Sequence, residues 1–213
     1  MSISAFMGAN SVIKPGVVTS STRPSSPFVG QLIFETDTNR LAAYNGSAWI
    51  TQNGLQLITA QTIGSAVSSV TVSNAFNATY DNYKIIVSGG VGSTDLALNL
   101  TLGSTATGYY SSGFNQSMTA ATINATNTNN GTSFASAVYG STNALSGEIH
   151  VDNPFSTKRT MVRYWATGSS TTYFVNQQQG FLNDANSYSA FTLTCSTGTI
   201  TSGIIFVYGY AEI

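Results

Sequence analysis

The sequence predicts an all-β protein in which an extended arm and a small β-meander precede an antiparallel β-sandwich of the jelly-roll type. Three observations support this prediction. Short runs rich in Val, Ile, Thr, Tyr and Phe recur along the chain, and these residue types favour strands. Segments rich in Gly, Ser and Asn separate the runs, as turns do in sandwiches. No segment repeats its apolar positions with the 3.6-residue period of a helix.

The composition agrees with this fold class and limits the functions to be considered. Of 213 residues, 42% are hydrophobic, which allows a sizeable core, but only 7% are charged, against roughly 25% in typical globular chains. Ser, Thr and Asn make up about a third of the chain, and their side chains compete with helical hydrogen bonds. Seven scattered Lys and Arg residues argue against nucleic-acid binding. No apolar run is long enough to insert into a membrane.

The first segment, residues 1–22, has no clear apolar period and few charges. Such a segment is expected to be an extended arm, either mobile or laid along another protein. We therefore interpret it as an anchoring arm.

Residues 23–53 predict a three-stranded meander. Leu32 and Phe34 alternate with Ile33 in the first run. The segment around Asp37 then predicts a turn in which its carboxylate caps backbone amides. Asn45-Gly46 is a strong hairpin signal and precedes the third run.

The meander is too small to be stable unless one face is covered. The proline-rich segment that precedes it is not expected to provide that cover, so another domain or another copy of the chain should. The candidate oligomer-interface residues are Leu32, Phe34, Tyr44 and Trp49.

Residues 54–213 contain many strand-like runs and predict the sandwich. The clearest runs are LQLITAQTI, SSVTV, YKIIVSG, LALNLTL, GEIHVD, TMVRYWAT, TYFVNQQ, SAFTLTCS and GIIFVYGYAEI. The polar run at residues 119–133 predicts a long loop at the rim of the sandwich.

Residues typical of catalytic or metal sites are scarce. The chain has one histidine, His150, and one cysteine, Cys195, which excludes an ordinary zinc site. Glu148 and Asp152 could form a glycosidase pair, but pairing with a nearby cation such as Arg163 is the ordinary explanation. We expect no catalytic residues, no bound metal and no cofactor.

Aromatic residues suggest a ligand site. One group contains Tyr109, Tyr110 and Phe114, and the polar run beside it contains Asn127. Aromatic rings flanked by amides can bind sugars, so these four residues are candidate glycan-binding residues. The alternative is that alternate members fill the core. A second aromatic group comprises Tyr164, Trp165, Tyr173 and Phe174.

Two stretches resemble bacteriophage virion proteins. The first contains Arg23-Pro24, Pro27, Gly30-Gln31, Thr36-Asp37-Thr38, Tyr44-Asn45-Gly46 and Trp49. This pattern is similar to a short module of phage tail fibres and minor tail proteins. The second, longer resemblance is to a phage jelly-roll domain and is carried by Tyr80, Tyr83-Lys84 and the closing strand from Gly203 to Gly209.

The resemblance implies a virion structural protein, usually trimeric, assembled in the host cytoplasm. We expect a non-enzymatic short tail fibre or receptor-binding knob, anchored to tail or capsid proteins through residues 1–22 and touching host surface glycans. A capsid decoration protein or head fibre is the alternative within that class. A free carbohydrate-binding module is the alternative of another class, and a depolymerase enzyme is disfavoured by the scarcity of catalytic residue types.

Overall fold

A computed structural model describes residues 15–51, 54–169 and 173–211. These segments form two compact units, and the chain passes from the first to the second between Gly54 and Leu55. The all-β prediction is confirmed, because the described residues form strands and turns and no helix. Residues 1–14 of the predicted arm lie outside the described residues.

The first unit is a four-stranded mixed sheet with the strand order β1-β2-β3-β4. The strands are β1 (Gly16–Val18), β2 (Leu32–Glu35), β3 (Arg40–Tyr44) and β4 (Trp49–Thr51). The last three strands form the expected antiparallel meander. Strand β1 pairs in parallel with β2 and comes from the segment that was expected to be an extended arm.

Two polar side chains stabilise the turns of this sheet by accepting hydrogen bonds from backbone N–H groups. Asn45 Oδ1 accepts hydrogen bonds from the backbone N–H groups of Ser47 (2.9 Å) and Ala48 (2.8 Å) in the turn between β3 and β4, where Gly46 has a φ of 104°. Asp37, in the turn between β2 and β3, accepts from the backbone N–H of Ser20 at 2.8 Å. Asp37 therefore secures the chain that follows β1, seventeen residues away.

The second unit is a β-sandwich. Its strands are β5 (Leu55–Thr62), β6 (Ser69–Val72), β7 (Asn82–Ser88), β8 (Val91–Gly92), β9 (Leu96–Leu102), β10 (Tyr109–Ser117), β11 (Ile123–Gly131), β12 (Phe134–Gly140), β13 (Leu145–Asp152), β14 (Met161–Ser169), β15 (Tyr173–Leu182), β16 (Phe191–Cys195), β17 (Ile200–Thr201) and β18 (Ile204–Tyr210).

Twelve of these strands form two antiparallel layers, and β8 and β17 pair only with each other. The back layer has the order β6-β16-β9-β12, and the front layer has the order β5-β18-β7-β13-β14-β15-β10-β11. Strands β12 and β13 pair briefly at the corner between the layers. Without the β14–β15 hairpin and the strands β5 and β18 at one end of the front layer, the eight remaining long strands follow the order of a jelly roll.

The core lies between the two layers. Alternate residues of both layers point inward, such as Leu98 and Leu100 from β9 and Ile149 and Val151 from β13, and all four are fully buried. The alternation therefore places the intervening side chains of the front layer on its outer face, which is the side away from the core.

All nine runs identified in the sequence form strands, but three long strands were not predicted. The run at residues 119–133 is mostly strand β11 rather than a loop. Its side chains are largely exposed on both faces because β11 is an edge strand, and its backbone pairs with β10. Backbone pairing needs no apolar alternation, so the pattern of side chains did not reveal it.

Candidate functional site

One side of the small sheet is apolar. The pairings Leu32–Ala43–Ile50 and Val17–Phe34–Leu41 place six apolar side chains on this side. We call these six residues the apolar face. Val17, Leu41 and Ile50 are 63%, 49% and 38% exposed, so the described residues leave much of the face uncovered.

The opposite side of the small sheet is buried. Ile33, Glu35 and Ala42 are essentially inaccessible. Arg23, from the proline-rich segment, reaches this side and pairs with Glu35. The expectation that the proline-rich segment could not contribute to the cover is therefore wrong.

The four candidate interface residues do not share one side of the sheet. Leu32 and Phe34 belong to the apolar face. Tyr44 and Trp49 lie on the opposite side, directly paired across the hairpin, with ring centroids 5.4 Å apart. Trp49 is half-buried and has an aromatic contact within its own chain.

The outer face of the front layer carries a groove made of three adjoining depressions. The largest has a volume of about 680 Å³ and is bordered by Tyr110 and Phe181. It shares Arg163 and Gln179 with a second depression of about 200 Å³. The second shares Trp165 with a third of about 520 Å³. We call the three together the groove.

Aromatic rings line the groove. Tyr110 and Phe181 are paired across β10 and β15, and their rings stack with centroids 5.2 Å apart and planes 12° apart. The guanidinium of Arg159 lies 5.3 Å from the centre of the Phe181 ring. Trp165, which borders the second and third depressions, is 39% exposed.

The polar side chains of the groove are mostly amides and hydroxyls. Ser112, Gln177 and Gln179 lie between the aromatic residues, and Asn127 stands on the neighbouring strand β11. The charged Arg163 is bound by both oxygens of Asp152, at 3.0 and 2.9 Å. The residues that line the groove therefore offer hydrogen-bonding groups with little unpaired charge, and the cation of Arg159 lies at its border.

A chain of polar contacts borders the third depression. Glu148 Oε1 lies 2.9 Å from Lys84 Nζ and 2.9 Å from His150 Nε2, and His150 Nδ1 lies 3.1 Å from the hydroxyl of Tyr210. Desolvation favours the neutral form of Glu148, but the hydrogen bonds from Lys84 and His150 outweigh it, so the pKa of Glu148 is lowered. Both ring nitrogens of His150 therefore have hydrogen-bond partners within the chain.

Glu148 and Asp152 do not have the arrangement of a glycosidase pair. They are four residues apart on β13, so their Cα atoms are separated by about 13 Å along the strand. The carboxyl groups of a glycosidase lie roughly 5 to 9.5 Å apart. Each carboxylate is instead paired with a cation, Lys84 or Arg163.

A buried polar layer lies beneath the groove, on the inner side of the front layer. The hydroxyl of Tyr164 lies 3.0 Å from both Gln178 Oε1 and the backbone oxygen of Ala135. Gln178 in turn donates to Asn176, and Asn176 donates to the backbone of Ser136 on β12. Desolvation raises the pKa of Tyr164 to about 12. These bonds tie strands β14 and β15 to the back layer.

The candidate glycan-binding residues have different positions. Tyr110 and Asn127 line the first depression and Phe114 lines the second. Tyr109 is fully buried, and its hydroxyl bonds to the backbone of Leu102 and Thr105, so it cannot contact a ligand. Tyr109 was a wrong candidate because neighbouring residues of a strand point to opposite faces.

Several groove residues were not recognised as site residues from the sequence. They are Met161, Arg163, Gln177, Gln179 and Phe181, whereas Trp165 is a member of the second aromatic group found in the sequence. Their alternation within β14 and β15 was a usable signal, because every second residue of these strands faces outward.

The described residues contain no group of three or more His, Cys, Asp or Glu side chains that could hold a metal ion. Within those same residues there is also no helix of the length and hydropathy needed to cross a membrane. Comparisons of the chain with protein-family models, with curated proteins and with solved structures give no match.

Proposed function

We propose that the protein is a non-enzymatic structural protein of a bacteriophage virion that assembles as a homotrimer through the apolar face of its small sheet. The observation that carries this proposal is the exposure of Val17, Leu41 and Ile50 on the same face of the small sheet. A contiguous exposed apolar patch commonly marks an interaction surface. Three copies around an axis would cover one another's patches.

The contacts of the phage-like motif support the assignment. Arg23 of the Arg-Pro pair binds Glu35, Asp37 of the Thr-Asp-Thr turn binds Ser20, and Asn45 closes the β3–β4 turn. The residues that carry the resemblance are thus the ones that hold the small sheet together. The motif therefore marks a folded structural unit. A module that recurs in virion proteins is expected to keep the residues that stabilise its fold.

In this proposal the sandwich is displayed outward as a short tail fibre or receptor-binding knob, and residues 1–22 attach the trimer to other virion proteins. A capsid decoration protein or head fibre has the same organisation. The alternative outside the virion proteins is a free carbohydrate-binding protein. The groove on the sandwich supports this alternative, because a ligand site there does not require assembly into a particle.

The assembly is tested by the oligomeric state of the purified chain in light scattering at micromolar concentration. We expect a trimer for the natural sequence. Replacing Val17 by Thr and Leu41 by Gln together should yield monomers, because both side chains are exposed and the substitutions remove apolar area without opening a cavity.

The matched control is Ile123→Gln, which replaces an apolar residue of similar exposure (65%) on the sandwich. This variant should remain trimeric. A natural sequence that is monomeric while its small sheet is folded would contradict the proposed assembly.

The virion assignment is tested by truncation of the candidate anchor. The truncation should end at residue 14, because Gly16–Val18 is a strand of the small sheet and its loss would disturb the fold. We expect the truncated protein to stay trimeric but to be absent from purified particles. Normal incorporation would show that the anchor lies elsewhere, and the absence of the full chain from particles would favour the free carbohydrate-binding protein.

A further inference from the structure

We propose that the groove on the outer face of the sandwich binds a neutral oligosaccharide, with Trp165 as its central stacking residue. The inference does not depend on the virion assignment, because the groove lies entirely within the sandwich unit.

The shape of the groove fits a chain rather than a single ring. Its three depressions share Arg163, Gln179, Trp165 and Gln177 where they adjoin, so they form a continuous path. The path crosses the strands β10, β15, β14 and β13, which at about 4.8 Å per strand extend over roughly 15 Å. This length exceeds that of one sugar ring.

The chemistry of the lining fits a sugar. Sugar rings have an apolar face of C–H groups, which can stack on the exposed indole of Trp165 or against Tyr110. Their hydroxyl groups both donate and accept hydrogen bonds, as do the amides of Gln177 and Gln179. The amide of Gln177 lies between the rings of Phe114 and Trp165 across β10, β15 and β14, and Gln179 lies beside the paired rings of Tyr110 and Phe181. Each depression therefore offers both aromatic and amide side chains.

The charged side chains that line the groove form ion pairs, which favours a neutral sugar over an acidic one, and the exposed Arg159 lies at its border over the Phe181 ring. Arg163 is neutralised by Asp152, and Glu148 is neutralised by Lys84. An anionic ligand would have to compete with a carboxylate for each of these cations. A neutral ligand leaves both ion pairs intact.

Other occupants fit less well. A peptide strand could not extend the sheet here, because β15, β14 and β13 have hydrogen-bonded neighbours on both sides. A stable interface with a second copy of the chain is expected to be more apolar than this surface. The polar side chains of Gln177, Gln179 and Ser112 lie among the apolar residues of the groove.

The groove is also held in shape before any ligand arrives. Tyr164, Asn176 and Gln178 bond to one another or to β12 directly beneath it. A binding surface that is already ordered loses less entropy when it binds.

The test uses the full chain and a panel of neutral oligosaccharides of glucose, galactose, mannose and N-acetylglucosamine, one to six rings long, with uronic acid oligomers for comparison. Binding is measured by titration calorimetry. We expect at least one neutral series to bind, with affinity that rises with chain length and then levels off when the groove is filled.

Trp165→Ala should lower the affinity at least tenfold, and Gln179→Ala, which removes an exposed amide, should lower it severalfold. Phe155→Ala is the matched control, because Phe155 is as exposed as Trp165 (37% against 39%) but lies outside the groove. It should bind like the natural sequence. Thermal melting verifies that each variant is folded.

Three results would overturn the proposal. They are no binding of any neutral oligosaccharide at millimolar concentration, binding of the acidic oligomers alone, and unchanged affinity in both Trp165→Ala and Gln179→Ala. A loss of the trimer in Trp165→Ala would show that the groove is an interface between copies, which also contradicts a sugar site. These results are separate from the assembly test, which concerns Val17 and Leu41.

Discussion

Arg23 and Glu35 form an ion pair in which the carboxylate side chain is 1% exposed and the guanidinium side chain is 36% exposed. Thr38 donates a second hydrogen bond to the carboxylate, at 2.9 Å. The hydrogen bond from Arg23 lowers the pKa of Glu35, and this effect outweighs desolvation, which alone would raise it. The stability of the small sheet is therefore linked to the ionisation of Glu35.

We expect the small unit to lose stability in acid. Because the folded-state pKa of Glu35 is lowered, the ion pair contributes fully above the ordinary glutamate pKa, about 4.3. The contribution is lost as the pH falls through the lower folded-state value. The pKa of Asp37 is lowered by its hydrogen bonds from Ser20, so Asp37 acts in the same direction.

The measurement is urea unfolding followed by Trp49 fluorescence between pH 3 and pH 7, with Trp165 replaced by Phe. The free energy of unfolding should fall below about pH 4.5. In Glu35→Gln the free energy of unfolding should decline less steeply with falling pH. The remaining decline is then due to Asp37. An equal decline in both proteins would mean that Glu35 is not the linked group.

Trp49→Ala should destabilise the small unit equally at every protein concentration. Trp49 contacts Tyr44 within its own hairpin and lies on the side opposite the apolar face. An aromatic pair of this kind contributes about 0.5–1.5 kcal/mol beyond its buried area. Leu41→Gln, on the apolar face, should instead give a melting temperature that rises steeply with protein concentration. Calorimetry of both variants and of the natural sequence at several concentrations distinguishes the two, since the melting of a trimer itself depends on concentration. A difference between Trp49→Ala and the natural sequence that changes with concentration would place Trp49 at an interface.

Tyr164→Phe should lower the stability of the sandwich by about 1–3 kcal/mol, because it removes a buried hydroxyl from Gln178 and Ala135. Tyr110→Phe is the control, since its ring is half-exposed and the change should stay within about 0.5 kcal/mol. Chemical denaturation measures both. Equal values would mean that the hydroxyl of Tyr164 contributes nothing beyond that of an outer residue.

Gly180→Ala should destabilise the sandwich by roughly 1–3 kcal/mol through overpacking. A Cβ atom at this position in β15 would clash with the backbone oxygen of Tyr110 and lie 2.8 Å from the Cα of Ser111. Because both obstacles are backbone atoms, no side-chain rotation relieves the contact. Gly16→Ala is the control, as its Cβ would meet Ile33 at an ordinary 3.7 Å. A melting temperature unaffected by Gly180→Ala would contradict the packing of β10 on β15.

The fold was predictable wherever one face of a strand is buried. The alternation around Ile149 and Val151 in β13 predicts a strand because the residues between them face outward. Strand β11 lacks that signal, since both of its faces are solvated. Strand β1 was not predicted for a different reason. It is only three residues long and pairs in parallel with β2, so it is too short to show an alternation of apolar and polar residues.

The groove was predictable only in part. The sequence indicates that Tyr109 and Tyr110 point to opposite faces but not which of them faces the core. The partners of Tyr110 come from far along the chain, and Phe181 becomes its neighbour only because β15 pairs with β10. That pairing depends on the placement of the β14–β15 hairpin, which alternation alone does not determine.

The β14–β15 hairpin is an addition to the jelly-roll strand order, and it carries Met161, Arg163 and Trp165 on one strand and Gln177 and Gln179 on the other. About half of the residues that line the groove therefore belong to this hairpin, and its outward side chains do not contribute to the core. Substitutions at these positions can accumulate without loss of the fold. A lineage of such proteins could thus exchange one ligand preference for another by altering or swapping this single hairpin.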